Sequence, residues 1–242
     1  MKHSKGSQIK PLSYGLSDKR RDRIFLMCGP LSWIFYLIFF AAAGFLPPIA
    51  PSMSAQDVAS HYALHERGIK MGIYLIALIA FLWPLYGVAI HHQLARIPQV
   101  SSVVLILQLA NSSALGIVFS LIAVFFAAAS YRLDRDPGIT QLANDLAWFS
   151  WGLCSGPLML QFCAISWAIL HDTRSTPLIP RWVAWTSLIF PAWMFFPFAA
   201  HCTYSGPFAW DGGVSFWGLW GTSAITFGPV TYYVWKVTGM VN

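Results

Sequence analysis

The sequence predicts an all-α, polytopic membrane helix bundle, and three observations carry that prediction. Six long apolar stretches occupy almost the whole chain, and no charged side chain sits at the centre of any of them. Charged residues make up 10% of the chain, against roughly 25% in an ordinary soluble domain. Apolar residues reach 57% and the mean hydropathy is +0.57, which leaves too little polar surface to face water on all sides.

A helix needs roughly 20 apolar residues to cross the hydrocarbon core. The predicted spans are residues 24–46, 69–90, 100–130, 146–170, 182–202 and 214–235. The third run exceeds what a crossing requires, so it tilts or extends beyond the core. Residues 1–23 form a basic tail, and residues 24–242 form one six-helix transmembrane domain. The first span follows basic residues and contains Ala41, Ala42 and Ala43, as a signal peptide would, but its apolar run is too long for one. It is expected to stay as an anchor.

Charge sets the expected orientation, because Lys and Arg favour cytoplasmic loops. Lys2, Lys5, Lys10, Lys19, Arg20, Arg21 and Arg23 precede the first span. With that tail inside, Arg96, Arg174, Arg181 and Lys236 are inside too, leaving Arg67, Lys70, Arg132 and Arg135 outside. Both termini are therefore predicted cytoplasmic. A bacterial inner membrane and a eukaryotic endomembrane fit this topology equally. The formal charge of +6 is a topogenic feature and no sign of nucleic acid.

The first outer loop, 47–68, opens with Pro47, Pro48 and Pro51 and then allows a short amphipathic helix. Ser54 is its expected N-cap, with Asp57 three residues on. Ala55, Val58, Ala59 and Tyr62 share one side, and Asp57, His61 and His65 the other. In the second outer loop, Asp136 followed by Pro137 reads as an N-cap and first helical residue, so the fourth helix starts early. Ile179 and Pro180 open the fifth helix in the same way. Pro30, Pro84, Pro157, Pro191, Pro197 and Pro229 fall in the spans, where each removes a backbone donor. Short Gly-Pro matches between the two halves are too brief to establish an internal repeat.

Polar residues in the spans are few. Gln108, Asn111 and Ser112 share one face of the third helix, and Gln161 lies near the middle of the fourth. Gln108, Asn111 and Gln161 are the candidate ligand-binding residues; otherwise they join helices, since an amide in hydrocarbon needs a partner. Glu66, Asp145 and Asp211 are predicted at outer helix ends. If these converged, a carboxyl shielded from water would serve as general acid or base on a lipid or isoprenoid substrate, as in a lyase, isomerase or cyclase. Otherwise they favour their own helix dipoles.

No metal centre is expected. His61 and His65 at i, i+4 are an incomplete ligand set, and the seven histidines are too scattered for a di-iron oxygenase. Cys28, Cys154, Cys163 and Cys202 form no CxxC pair. No cofactor motif is present. The expected surroundings are a lipid bilayer, with an apolar small molecule or another membrane protein as partner. The leading functional reading is binding or movement of an apolar or amphiphilic small molecule, or an accessory role. The membrane enzyme is the alternative.

Overall fold

The computed structural model describes residues 16–240, so Lys2, Lys5 and Lys10 of the basic tail lie outside it. The described residues form helices and no strands: α1 (Leu16–Ala42), α2 (Ala55–Leu64), α3 (Glu66–Leu94), α4 (Ser102–Tyr131), α5 (Pro137–Leu153), α6 (Gly156–Leu170), α7 (Arg181–Ser187), α8 (Ile189–Trp193) and α9 (Gly218–Val237). A 3-10 turn spans Pro197–Cys202 and a π turn spans Gly213–Trp217.

Five segments are long and apolar enough to cross a membrane: Asp18–Ala42, Glu66–Leu94, Ser102–Tyr131, Pro137–Leu170 and Arg181–Cys202. The sixth predicted run folds as the π turn and α9, but α9 is not among those five. Thr222, Thr226, Thr231, Tyr232 and Tyr233 dilute its apolar residues.

Proline places the helix breaks. A proline at position i leaves the carbonyl of i−4 without its donor and crowds it. α5 ends at Leu153, four residues before Pro157. α7 ends at Ser187, four before Pro191, and α8 ends at Trp193, four before Pro197. The fifth segment, expected as one helix over 182–202, is thus three short pieces. Pro30, Pro84 and Pro229 instead sit inside unbroken helices.

Local signals close the helix starts. Ser54 Oγ accepts the Asp57 amide at the head of α2, and Asp136 Oδ1 accepts the Gly138 amide at 2.7 Å ahead of Pro137. With α5 beginning at Pro137, the joined α5–α6 segment has 34 residues. At 1.5 Å per residue, 34 residues of helix exceed the roughly 30 Å of a bilayer core even with the break at Cys154 and Ser155 between α5 and α6.

α3 is central. α1 and α4 pack along it, α4 also meets α5 and α6, and α7 and α8 pack against α9. Contact between α1 and α9 is sparse. Glycine permits the closest crossings. A Cβ on Gly68 would overlap the Ala42 carbonyl, and one on Gly116 would sit 2.7 Å from the Ala80 oxygen.

The loops gather at two ends. At one, Asp22 is fully buried and joins α1 to the end of α3: Oδ2 accepts from His92 Nδ1 at 2.6 Å and Gln93 Nε2 at 2.5 Å, while Oδ1 accepts from Arg21. Arg96 donates to the carbonyls of Val237 and Met240, and Arg23 donates to Thr238 Oγ1. Asp172 at the foot of α6 accepts from Arg174 and the Leu178 amide, and the neighbouring guanidinium holds its carboxyl below the usual range. At the other end, Gln141 donates to Met53 O and Trp210 to Ile49 O.

Gly68→Ala should cost about 1–3 kcal/mol by wedging α1 from α3. Gly228→Ala, whose Cβ meets nothing within 4 Å, should change stability by less than about 1 kcal/mol. Thermal unfolding in detergent compares the two. Asp22→Asn should cost about 1–3 kcal/mol by the same measurement, because it removes one carboxylate oxygen that serves the buried Gln93 amide and the half-buried His92.

Candidate functional site: an aromatic cavity at the bundle centre

Two clusters of buried apolar side chains fill the two ends of the bundle. One contains Leu26, Trp83, Phe162 and Phe227, the other Phe39, Phe126, Trp148 and Phe216. A cavity of about 90 Å³ lies where they meet, with walls drawn from both. Helical spacing explains the walls. Ser32 and Tyr36 on α1, Ile79 and Trp83 on α3, Leu115 and Phe119 on α4, and Phe190 and Met194 on and just beyond α8 are each i, i+4 pairs that share a face. Trp151 of α5 and Trp220, Ser223 and Phe227 of α9 are further parts of the lining.

The rings support one another edge to face. Trp33 meets Trp220 at 4.8 Å, and Trp83 meets Phe227 at 5.2 Å. Such pairs contribute about 0.5–1.5 kcal/mol each beyond their area. Trp83 is further fixed by its indole N–H, which donates to Gln161 Oε1 at 3.1 Å.

The polar groups are specific. Ser32 donates to Cys28 O at 2.7 Å, Ser155 to Gly152 O at 2.8 Å and Ser223 to Leu219 O at 2.6 Å. Each serine hydrogen is thereby used within its own chain segment, leaving only oxygen lone pairs free. Two donors are different. Tyr36 Oη and Trp220 Nε1 are buried and have no hydrogen-bond partner. Trp151 adjoins Tyr36 without reaching hydrogen-bond geometry. A buried group left unpaired costs about 1–3 kcal/mol. No charged side chain lines the cavity. It therefore suits a neutral guest that brings a hydrogen-bond acceptor.

The three candidate amides are not brought together on this wall. Gln108 Nε2 donates to Gly87 O at 3.3 Å, joining α4 to α3. Asn111 Nδ2 donates to Leu107 O on its own helix. Gln161 stands behind the cavity and orients Trp83.

The three candidate carboxylates do not line the cavity either. Glu66 opens α3 and pairs with Lys70 at 2.5 Å. Asp145 lies two turns inside α5, since the helix begins at Pro137, and accepts from Asn144 Nδ2 at 3.2 Å. Asp211 precedes the π turn, where burial pushes its carboxyl up. Among the described residues none of the three hydrogen-bonds another. Asn144, which has no obvious sequence signature, is the hub there: Tyr62 Oη and Trp148 Nε1 both donate to its Oδ1, at 3.0 and 3.1 Å, tying α2 to α5.

His61 and His65 were expected on the solvated side of α2. Instead His61 is half-buried, its Nε2–H donates to Ala43 O at 2.9 Å, and its ring stacks on Phe45. The two imidazoles lie 4.6 Å apart, and among the described residues no third His, Cys, Asp or Glu completes a metal-binding group.

Tyr36 and Trp220 escaped the sequence reading. Their aromatic type fits lipid-facing, interfacial and core positions alike, and only three-dimensional enclosure separates these. No protein-family model, curated protein or solved structure matches the chain.

Burial, chiefly, lowers the His61 pKa, against the opposing hydrogen bond to Ala43 O and with a smaller lowering from the neighbouring His65. The fold thus favours neutral His61. That stability is present above the ordinary histidine pKa of about 6.5 and is lost as pH falls below it. The protection of α2 amides against hydrogen exchange, relative to their intrinsic rates at each pH, should fall between pH 7.5 and pH 5, and His61→Gln should flatten that dependence.

Proposed function

We propose that the chain is a multipass integral membrane protein that binds a small amphiphilic molecule in the aromatic cavity. The observation that carries this reading is the Tyr36 hydroxyl, buried at the cavity wall with no acceptor. The guest is an apolar molecule whose head carries a carbonyl, ether or hydroxyl oxygen. Tyr36 Oη and Trp220 Nε1 are the donors to that oxygen, and the serine lone pairs receive a hydroxyl hydrogen where the head has one.

In this reading α9 is the sixth crossing and both termini lie on the cytoplasmic side. The charge bias supports that orientation. The convergence of Asp22, His92, Arg96 and Val237 at one end is consistent with it, because the start of α1 and the ends of α3 and α9 then share a side. Binding is favoured over acid–base turnover because Glu66, Asp145 and Asp211 all lie away from the cavity.

Native mass spectrometry of the protein gently extracted from its membrane should show an adduct of defined mass. Tyr36→Phe should weaken retention of that adduct about fivefold to tenfold, the loss of one hydrogen bond. Asp145→Asn should leave retention unchanged. A clean protein mass in every extraction, or retention indifferent to Tyr36→Phe, overturns the reading.

A further inference from the structure

A second void runs beside the cavity. It is a groove of about 530 Å³ between α1 and α9, and Trp33 and Phe227 line both spaces. These two rings, 5.3 Å apart and edge to face, are the shared wall. We infer that the groove holds the apolar tail of the molecule whose head occupies the inner cavity, with Trp33 and Phe227 as the doorway between them. This rests on the binding reading above and specifies its guest as a single-chain amphiphile with an oxygen-bearing head.

Size supports the division. An engineered cavity of roughly 150 Å³ admits benzene. The inner space, at about 90 Å³, is smaller and accepts only a compact head. Whatever remains of an amphiphile needs an apolar space next to it, and the groove lies just across the Trp33–Phe227 pair.

Chemistry agrees. Met27, Pro30, Ala224, Gly228 and Tyr232 line the groove, and no charged side chain joins them. Thr231 also lines it, but its Oγ1 is hydrogen-bonded to Tyr86 Oη at 2.8 Å. The groove thus offers mainly apolar contact, whereas Tyr36 Oη and Trp220 Nε1 belong to residues that line the inner cavity.

The two helices are suited to part. α1 is held along α3 and only sparsely against α9. Each carries a Gly-Pro step beside the groove, Gly29 with Pro30 and Gly228 with Pro229. Each proline deletes one helix hydrogen bond there. Gly228 leaves open space, with nothing within 4 Å of an added Cβ. A side chain added at that position starts into open space at the groove lining.

The test uses the full-length protein in phosphatidylcholine vesicles and a long-chain methyl ketone bearing a diazirine at the far end of its tail. Irradiation should label peptides 27–30 and 224–232. Gly228→Phe should reduce that labelling to background with an unchanged melting temperature, and Tyr36→Phe should reduce it about fivefold. Phosphatidylcholine carrying the same diazirine tail should not label these peptides preferentially. Suppose Tyr36→Phe lowers ketone retention in native mass spectrometry while the label spreads evenly over lipid-facing helices. The cavity reading then stands and the groove inference is overturned. Equal labelling by the phospholipid, or a dimer that Gly228→Phe converts to monomer, also overturns the inference by giving the groove another occupant. Retention that neither variant changes defeats the cavity reading and the inference together.

Discussion

An apolar interior offers no water to bond with, and that constraint governs nearly every polar contact in this bundle. In water a stray hydroxyl or amide finds a partner at little cost; between apolar helices it must find one in the protein. Ser32 of α1, Ser120 of α4 and Ser223 of α9 turn back to carbonyls of their own helices, while Ser112 of α4 donates to Trp83 O of α3. Gln108 reaches the backbone of α3, Gln161 takes the Trp83 indole, and Asn144 accepts from two aromatic donors at once. Against that background, Tyr36 Oη, Trp220 Nε1 and Gln161 Nε2 are buried donor atoms with no acceptor, and the first two belong to residues that line the cavity.

The same constraint explains how proline shapes the fold. Three prolines end the helices that precede them, and three do not. Pro84 lies in the tightly packed middle of the bundle, where Gly116 of α4 closes on the Ala80 carbonyl that the proline leaves without a donor. Pro191 and Pro197 come only six residues apart in a peripheral segment, so no stretch between them is long enough to recover a regular helix. The result is a broken fifth segment whose Phe190 and Met194 form one side of the cavity.

Much of the architecture was legible in sequence because apolar length, charge placement and capping are local properties. Ser54 and Asp136 sit where short-range chemistry puts them, and the early start of α5 follows from Asp136 and Pro137. Asp145 was misplaced for the same local reason: once the helix starts at Pro137, that carboxylate is no longer at an end. The site itself was not legible. Gln108, Asn111 and Gln161 attract notice as polar letters in apolar runs, yet they are engaged with backbone or indole. The residues that enclose the cavity are ordinary aromatics and aliphatics. Their meaning depends on which faces meet, and this comes from packing between helices far apart in sequence. Asp22 illustrates the point: it reads as one acid in a basic tail and is in fact the buried junction between α1 and α3.

Four indoles, those of Trp33, Trp83, Trp151 and Trp220, surround one small apolar room. Of the twelve tryptophans of the chain, these four report on the cavity wall through their ultraviolet emission, which follows the polarity and rigidity of that one place.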